Sequence, residues 1–116
     1  MRDYRDLVVW QKSMLLVKET YLLIEKLPAE ERFSLADQIR RAVVSVPSNI
    51  AEGYGRHSTR DYARFLCIAR GSNNELKTQI EICVMLDYFP EEATKTVFTL
   101  CDEIGKMINV MLLKLN

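Results

Sequence analysis

An all-α fold, an up-and-down bundle of four helices, is predicted by three observations. Apolar residues recur at helical spacing in four separate stretches. Proline, glycine and capping residues stand between those stretches, and no stretch alternates apolar and polar residues as a strand would. The chain of 116 residues is long enough to bury one core and too short for two ordinary domains, so residues 1–116 are expected to form a single bundle.

The first helix is expected over residues 7–27. Its apolar residues fall in four of seven rails: Leu7/Met14/Tyr21, Val8/Leu15/Leu22, Val9/Leu16/Leu23 and Trp10/Val17/Ile24. The rails of Gln11, Lys12 and Ser13 are polar. A bundle helix needs roughly three apolar rails, so the extra one is expected to be covered by another subunit, with Val9, Trp10, Leu16 and Leu23 as candidate interface residues. Leu27-Pro28 ends the helix, because proline restrains the residue before it and has no backbone donor.

Ser34-Leu-Ala-Asp37 resembles a capping box, opening a second helix whose apolar positions are Leu35, Ile39, Val43, Val46, Ile50 and Tyr54. That spacing keeps phase across Pro47, which predicts one kinked helix. An interior proline there removes the donor to the Val43 carbonyl, at a cost of about 3 kcal/mol, and Ser48 or Asn49 is expected to help satisfy the backbone. Gly53 or Gly55 is expected to stop the helix in the left-handed conformation that glycine tolerates.

Ser58-Thr-Arg-Asp61 repeats the capping pattern and opens a third helix, expected to reach about residue 86. Tyr62, Phe65, Leu66, Ala69, Leu76, Ile80, Cys83 and Val84 share its core face. Within that stripe Gly71-Ser72-Asn73 predicts a close helix approach with internal hydrogen bonds. Phe89-Pro90-Glu91-Glu92 reads as the start of the fourth helix, with acids near the positive end of the helix dipole. Ala93, Val97, Leu100, Ile104, Met107, Met111 and Leu115 then alternate by four and three, a coiled-coil-like seam.

Hydrophobic residues make up 48% and charged residues 28%, an ordinary composition for a folded chain. The longest apolar runs are four or five residues, as at residues 14–17, against roughly 20 for a membrane helix. The N-terminal Met1-Arg-Asp-Tyr-Arg-Asp lacks an apolar signal core. A cytoplasmic protein with no membrane association is expected. Cys67, Cys83 and Cys101 are odd in number and contain no Cys-x-x-Cys pair, which argues for reduced thiols.

Gly53-Tyr-Gly55 lacks the third glycine and the preceding strand of a dinucleotide site. His57 is the only histidine, and no Glu-x-x-His repeat exists, so neither a metal nor another cofactor is expected. Ser45 and Ser48 have no histidine at catalytic spacing. No catalytic residues are assigned, and the chain is read as a non-enzyme. Cys67 lies opposite the core between Arg64 and Arg70, where nearby cations favour thiolate, but an interface thiol explains that position equally.

Charge supplies the leading functional clue. The net charge is zero, yet residues 32–77 carry eight Lys/Arg against four Asp/Glu, while both flanking segments are acidic. Arg40, Arg41, Arg56, Arg60 and Arg64 are the candidate nucleic-acid contacts, because arginine offers a planar fork of donors to phosphate. The plainer reading is solvated charge paired with Asp37, Glu52 and Asp61. Repetition of the patch around a homo-oligomer would multiply weak phosphate contacts.

"RDLVVWQKSMLLV" at residues 5–17, "QIRRAVVSVPSNIAEGYGR" at residues 38–56 and "YARFLCIARGSNNEL" at residues 62–76 resemble the four-helix bundle family of 23S rRNA intervening-sequence proteins. The chain is similar, more distantly, to the accessory variability determinant proteins of diversity-generating retroelements. The second block is the most specific, with its arginine pair, Pro47, Ser48-Asn49 and Gly53-x-Gly55-Arg in order. Asn73-Asn74 depart from the apolar and small residues that follow Gly-Ser in the family. The resemblance implies a bacterial, cytoplasmic homopentamer shaped as a barrel with a central channel, and no established catalytic activity. Its retroelement relatives are basic and bind nucleic acid and a reverse transcriptase, whereas this chain is neutral. The expected function is a non-enzymatic homo-oligomeric binding module for RNA or a nucleoprotein partner. The alternative is a purely structural or protein-interaction oligomer.

Overall fold

A computed structural model describes residues 3–115; Met1 and Arg2 of the charged N-terminal segment, and Asn116, lie outside the described residues. Four helices, α1 (Val8–Ile24), α2 (Leu35–Tyr54), α3 (Thr59–Met85) and α4 (Lys95–Leu115), alternate with short links. The 3-10 turns are Tyr4–Asp6, Ala29–Glu31 and Glu91–Thr94, and no strand occurs among the described residues. Consecutive helices pack side by side and α4 closes against α1, giving a bundle of 43 × 25 × 22 Å. The α2–α3 pair makes the most extensive contact.

The core is assembled from one stripe of each helix. Leu16, Ile39, Val43, Val46, Ile50, Leu66, Leu76, Ile80, Ile104 and Ile108 are completely buried. The apolar spacing of α2 and α3 therefore reads out as their core faces, with Leu35, Tyr54, Tyr62, Phe65 and Val84 half-buried at the margins, whereas the expected α4 seam holds only at Val97, Leu100 and Ile104: Met107, Met111 and Leu115 are half-buried, and Cys101 and Ile108 take the core positions.

On α1 the structure corrects the expected partition. Val9, Leu16 and Leu23, assigned to a subunit interface, are 3%, 0% and 4% exposed and belong to the chain's own core. Trp10 is half-buried and meets Tyr4 edge-on, with ring centroids 5.3 Å apart. Ser13 and Thr20, read as polar positions, are also fully buried. The Ser13 hydroxyl donates to the Val9 carbonyl at 2.7 Å, which lets a small polar residue enter the core. Turning this side inward leaves Val8, Met14, Leu15, Tyr21 and Leu22 exposed. Two rails, and not one, are therefore left without cover.

The capping box expected at Ser34 does not form, because Ser34 takes a non-cap backbone conformation and its side chain caps nothing. Its hydroxyl donates to Glu31 Oε1 at 2.6 Å, and the same oxygen accepts the Leu35 amide at 3.4 Å. Glu31 therefore takes the capping role from the preceding turn. Farther along, α2 runs unbroken through the buried Pro47. Asn49, and not Ser48, turns its side chain to the backbone here, but toward a different carbonyl from the Val43 one that Pro47 deprives of its donor: its Nδ2 donates to the Ser45 carbonyl and hydroxyl, both at 2.8 Å.

Neither Gly53 nor Gly55 is left-handed, and Gly55 closes α2 at φ −81° and ψ 0°. Gly53 serves packing instead. A Cβ built there would stand 2.7 Å from the Phe65 Cβ, so only glycine fits where α2 meets α3. The expected close approach at Gly71 is also displaced. A methyl there would meet open space, while its neighbours make the contacts. Ser72 and Ser45 hydroxyls lie 2.8 Å apart, and buried Asn73 donates from Nδ2 to the Cys101 carbonyl at 2.9 Å.

Ser58 caps α3 as expected, accepting from the Asp61 amide at 3.1 Å. The left-handed residue occurs at the other end of α3, at Asp87, with φ 61°. There Asp87 N donates to the Val84 carbonyl and Tyr88 N to the Cys83 carbonyl, both at 3.0 Å, closing a Schellman turn. Pro90 is extended and precedes a 3-10 turn, so α4 itself begins at Lys95, later than the Pro-Glu-Glu signal suggests.

Candidate functional site

The five candidate arginines divide into two groups. Arg40 and Arg41 lie in the first half of α2, whereas Arg56 follows its end; thirteen residues of helix run from Arg41 to the end of α2 at Tyr54, about 20 Å. A single surface containing all five is therefore not formed. Arg40 reaches the Arg32 carbonyl at 3.5 Å, and Arg41 pairs with Asp37 at 3.1 Å on an exposed helix face.

Arg56, Arg60 and Arg64 do share the corner between α2 and α3. Gly53 lets the two helices touch, and the cap at Ser58 restarts the chain so that α3 carries Arg60 and Arg64 one turn apart. The half-buried Phe65 ring gathers two of these side chains. The Arg56 guanidinium carbon lies 4.7 Å from its centroid and that of Arg64 4.5 Å. Tyr54 and Tyr62 extend the aromatic cluster with an edge-to-face contact at 6.1 Å. Burial, followed by the proximity of Tyr54, raises the Tyr62 hydroxyl pKa above its ordinary value.

Carboxylates occupy part of this corner. Arg56 Nη2 donates to Glu52 Oε2 at 2.7 Å, and Arg64 donates to Asp61 Oδ1 through Nε at 3.1 Å and Nη2 at 3.0 Å. The pairing with Asp37, Glu52 and Asp61 that the sequence offers as the plainer reading is thus present in all three cases. Arg60 is exposed and has no ion pair among the described residues.

The motif residues around this corner have structural positions. Pro47 is buried, Ser48 exposed, and Asn49 engaged with Ser45, while Gly53 and Gly55 stand at the close approach and the helix end. Phe65, which its spacing assigns to the core alone, also contacts two guanidiniums. The signal for that contact lies in its sequence neighbours, since Arg64 adjoins it and Gly53-x-Gly55-Arg56 lies just across the link.

The thiols differ sharply in setting. Burial pushes Cys83 up to about 11 and Cys101 up to about 12, suppressing thiolate at neutral pH. Cys67 is exposed, with Arg70 Nη2 at 3.8 Å from its sulfur. Among the described residues no group of three or more His, Cys, Asp or Glu is arranged to hold a metal. No helix among them is long and apolar enough to cross a membrane.

A family model described as 23S rRNA-intervening sequence protein matches residues 5–110. A solved structure of a protein of unknown function from the S23 ribosomal protein family of Bacteroides thetaiotaomicron VPI-5482 is similar throughout. It is 26% identical with a TM-score of 0.83, the match covering 90% of this chain and 98% of that one. No curated protein matches the chain.

Proposed function

Since the chain belongs to the family of 23S rRNA-intervening sequence proteins, we propose that it is a non-enzymatic, homo-oligomeric module that binds RNA at the α2–α3 corner. The observation carrying this reading is the convergence of Arg56 and Arg64 on Phe65, with Arg60, which has no ion pair among the described residues, one turn before Arg64. Arginine beside an aromatic ring is a combination suited to nucleotides, since it offers donors and stacking surfaces together. Arg40 and Arg41, too distant to join the corner, form at most a second contact along α2.

Assembly presents the corner several times, five times in the homopentamer implied by the family resemblance. A bend at Pro47 and a cytoplasmic location complete this reading. Titration of a labelled structured RNA at low salt tests it. The wild type is expected to bind, and R60E/R64E to lose at least about tenfold in affinity with its helicity intact, because the change reverses two charges. Absence of wild-type binding at low salt overturns the proposal.

A second reading is favoured by a separate observation. The exposed Val8, Leu15 and Leu22 form a strip on α1 that continues into an apolar groove of about 410 Å³ beside Met107, Val110 and Met111 of α4. On this reading the molecule is a purely structural or protein-interaction oligomer whose arginines bridge subunits or stabilise the second helix. R60E/R64E would then weaken assembly, as seen by light scattering, with no RNA affinity to lose. A reverse transcriptase or other nucleoprotein partner, implied by the more distant resemblance, belongs to the same interaction class.

A further inference from the structure

Given the reading of the α2–α3 corner as an RNA site, on which this inference rests, we propose that the corner takes an unpaired base of single-stranded RNA by stacking. A duplex backbone is not its ligand. The donor edges of both ring-bound guanidiniums already face carboxylates, at 2.7 Å for Arg56–Glu52 and at 3.1 and 3.0 Å for Arg64–Asp61. Each pair is neutral as a unit, so it has little net attraction for a phosphate. Their planes are in a different situation. Ring and carboxylate together hold each guanidinium in place, while the Arg56 and Arg64 side chains remain 40% and 58% exposed.

A guanidinium held in this way offers a flat surface to a nucleobase, and unpaired bases are commonly bound on aromatic or arginine planes. The cost of ordering those side chains has been met before RNA arrives. Arg60, the one arginine of the corner with no ion pair among the described residues, then supplies a phosphate contact that needs no carboxylate displaced. Duplex recognition requires several phosphate and ribose contacts across successive grooves. The corner does not offer that many free donors.

Fluorescence anisotropy with labelled oligoadenylate and an RNA duplex of equal length, from about 50 to 200 mM salt, tests this. Oligoadenylate is expected to bind roughly tenfold or more tightly than the duplex. The slope of log affinity against log salt should be near −0.7 per occupied corner, corresponding to about one phosphate on a single strand. R56K/R64K keeps both charges and removes both planes. It should lose the single-strand preference with the salt slope unchanged, whereas R60Q should flatten the slope and keep the preference. F65L should likewise lose the preference, and its thermal melt verifies that the fold is retained. Equal or tighter duplex binding, a slope several times steeper, or an unaffected R56K/R64K overturns the stacking inference while leaving RNA binding in place. Failure of both RNAs to bind at low salt overturns the RNA reading itself.

Discussion

At Gly53 the α2 backbone passes so near α3 that an added methyl would overlap the Phe65 Cβ and press on the Tyr62 ring and carbonyl. Two of those three atoms are fixed by the α3 backbone and cannot swing aside. G53A should therefore be destabilising by about 1–3 kcal/mol, the usual range for overpacking, despite alanine's better helix propensity. G55A meets only ordinary contacts and has a right-handed backbone, so its change should stay within about 0.5 kcal/mol. Urea unfolding of the two variants checks the contrast; equal stability would show that α3 yields at this contact. The sequence marks both glycines as special but does not reveal which constraint each obeys. A left-handed stop and a close crossing use the same residue type, and only the facing helix distinguishes them.

Helix ends follow the same logic at larger scale. Glu31 joins two links of the bundle: it caps α2, accepts from Ser34, and accepts the Tyr88 hydroxyl from the α3–α4 link at 2.6 Å. Hydrogen bonds from Ser34, then Tyr88, hold the Glu31 carboxyl below its ordinary value, and the Glu31 bond pushes Tyr88 up to about 12. The stabilisation by Glu31 is present above the usual carboxylate range and is lost as pH falls through its depressed pKa. That by Tyr88 is complete below its unfolded value of about 10 and disappears as pH rises through about 12. Thermal melts of Y88F across pH should accordingly lie below the wild type at neutral pH and approach it at both extremes. A constant gap at every pH would count against the clasp. The four helices are legible from apolar period alone, whereas this clasp joins residues 57 positions apart, beyond the reach of local capping patterns. The turn at Asp87 is hidden in the sequence for a related reason, since the left-handed cap is usually marked by glycine and aspartate fills it only occasionally.

For the molecule as a whole, the width of the α1 apolar pattern signals an uncovered surface, but its orientation depends on three neighbouring helices. The buried Ser13 and Thr20 show the limitation: residue polarity points them outward, while the bundle places them inside. The exposed strip predicts a measurable result. L15E/L22E places charge on side chains that are 45% and 51% exposed, so it should leave the helices intact and reduce an oligomer to monomer mass by light scattering. Persistence of the oligomer would transfer assembly to another face. The arginine corner is likewise legible in part: the arginines and their carboxylate partners stand in the sequence, but their division into two groups requires the length and direction of α2. The seat at Gly53 also bears on how this protein can diversify. The Phe65 Cβ that blocks residue 53 is common to every residue but glycine, so enlargement at 53 is relieved only by loss of the side chain at 65, and that side chain carries the guanidiniums. Residue 53 is therefore expected to stay glycine for as long as residue 65 keeps the side chain on which the arginine corner is built.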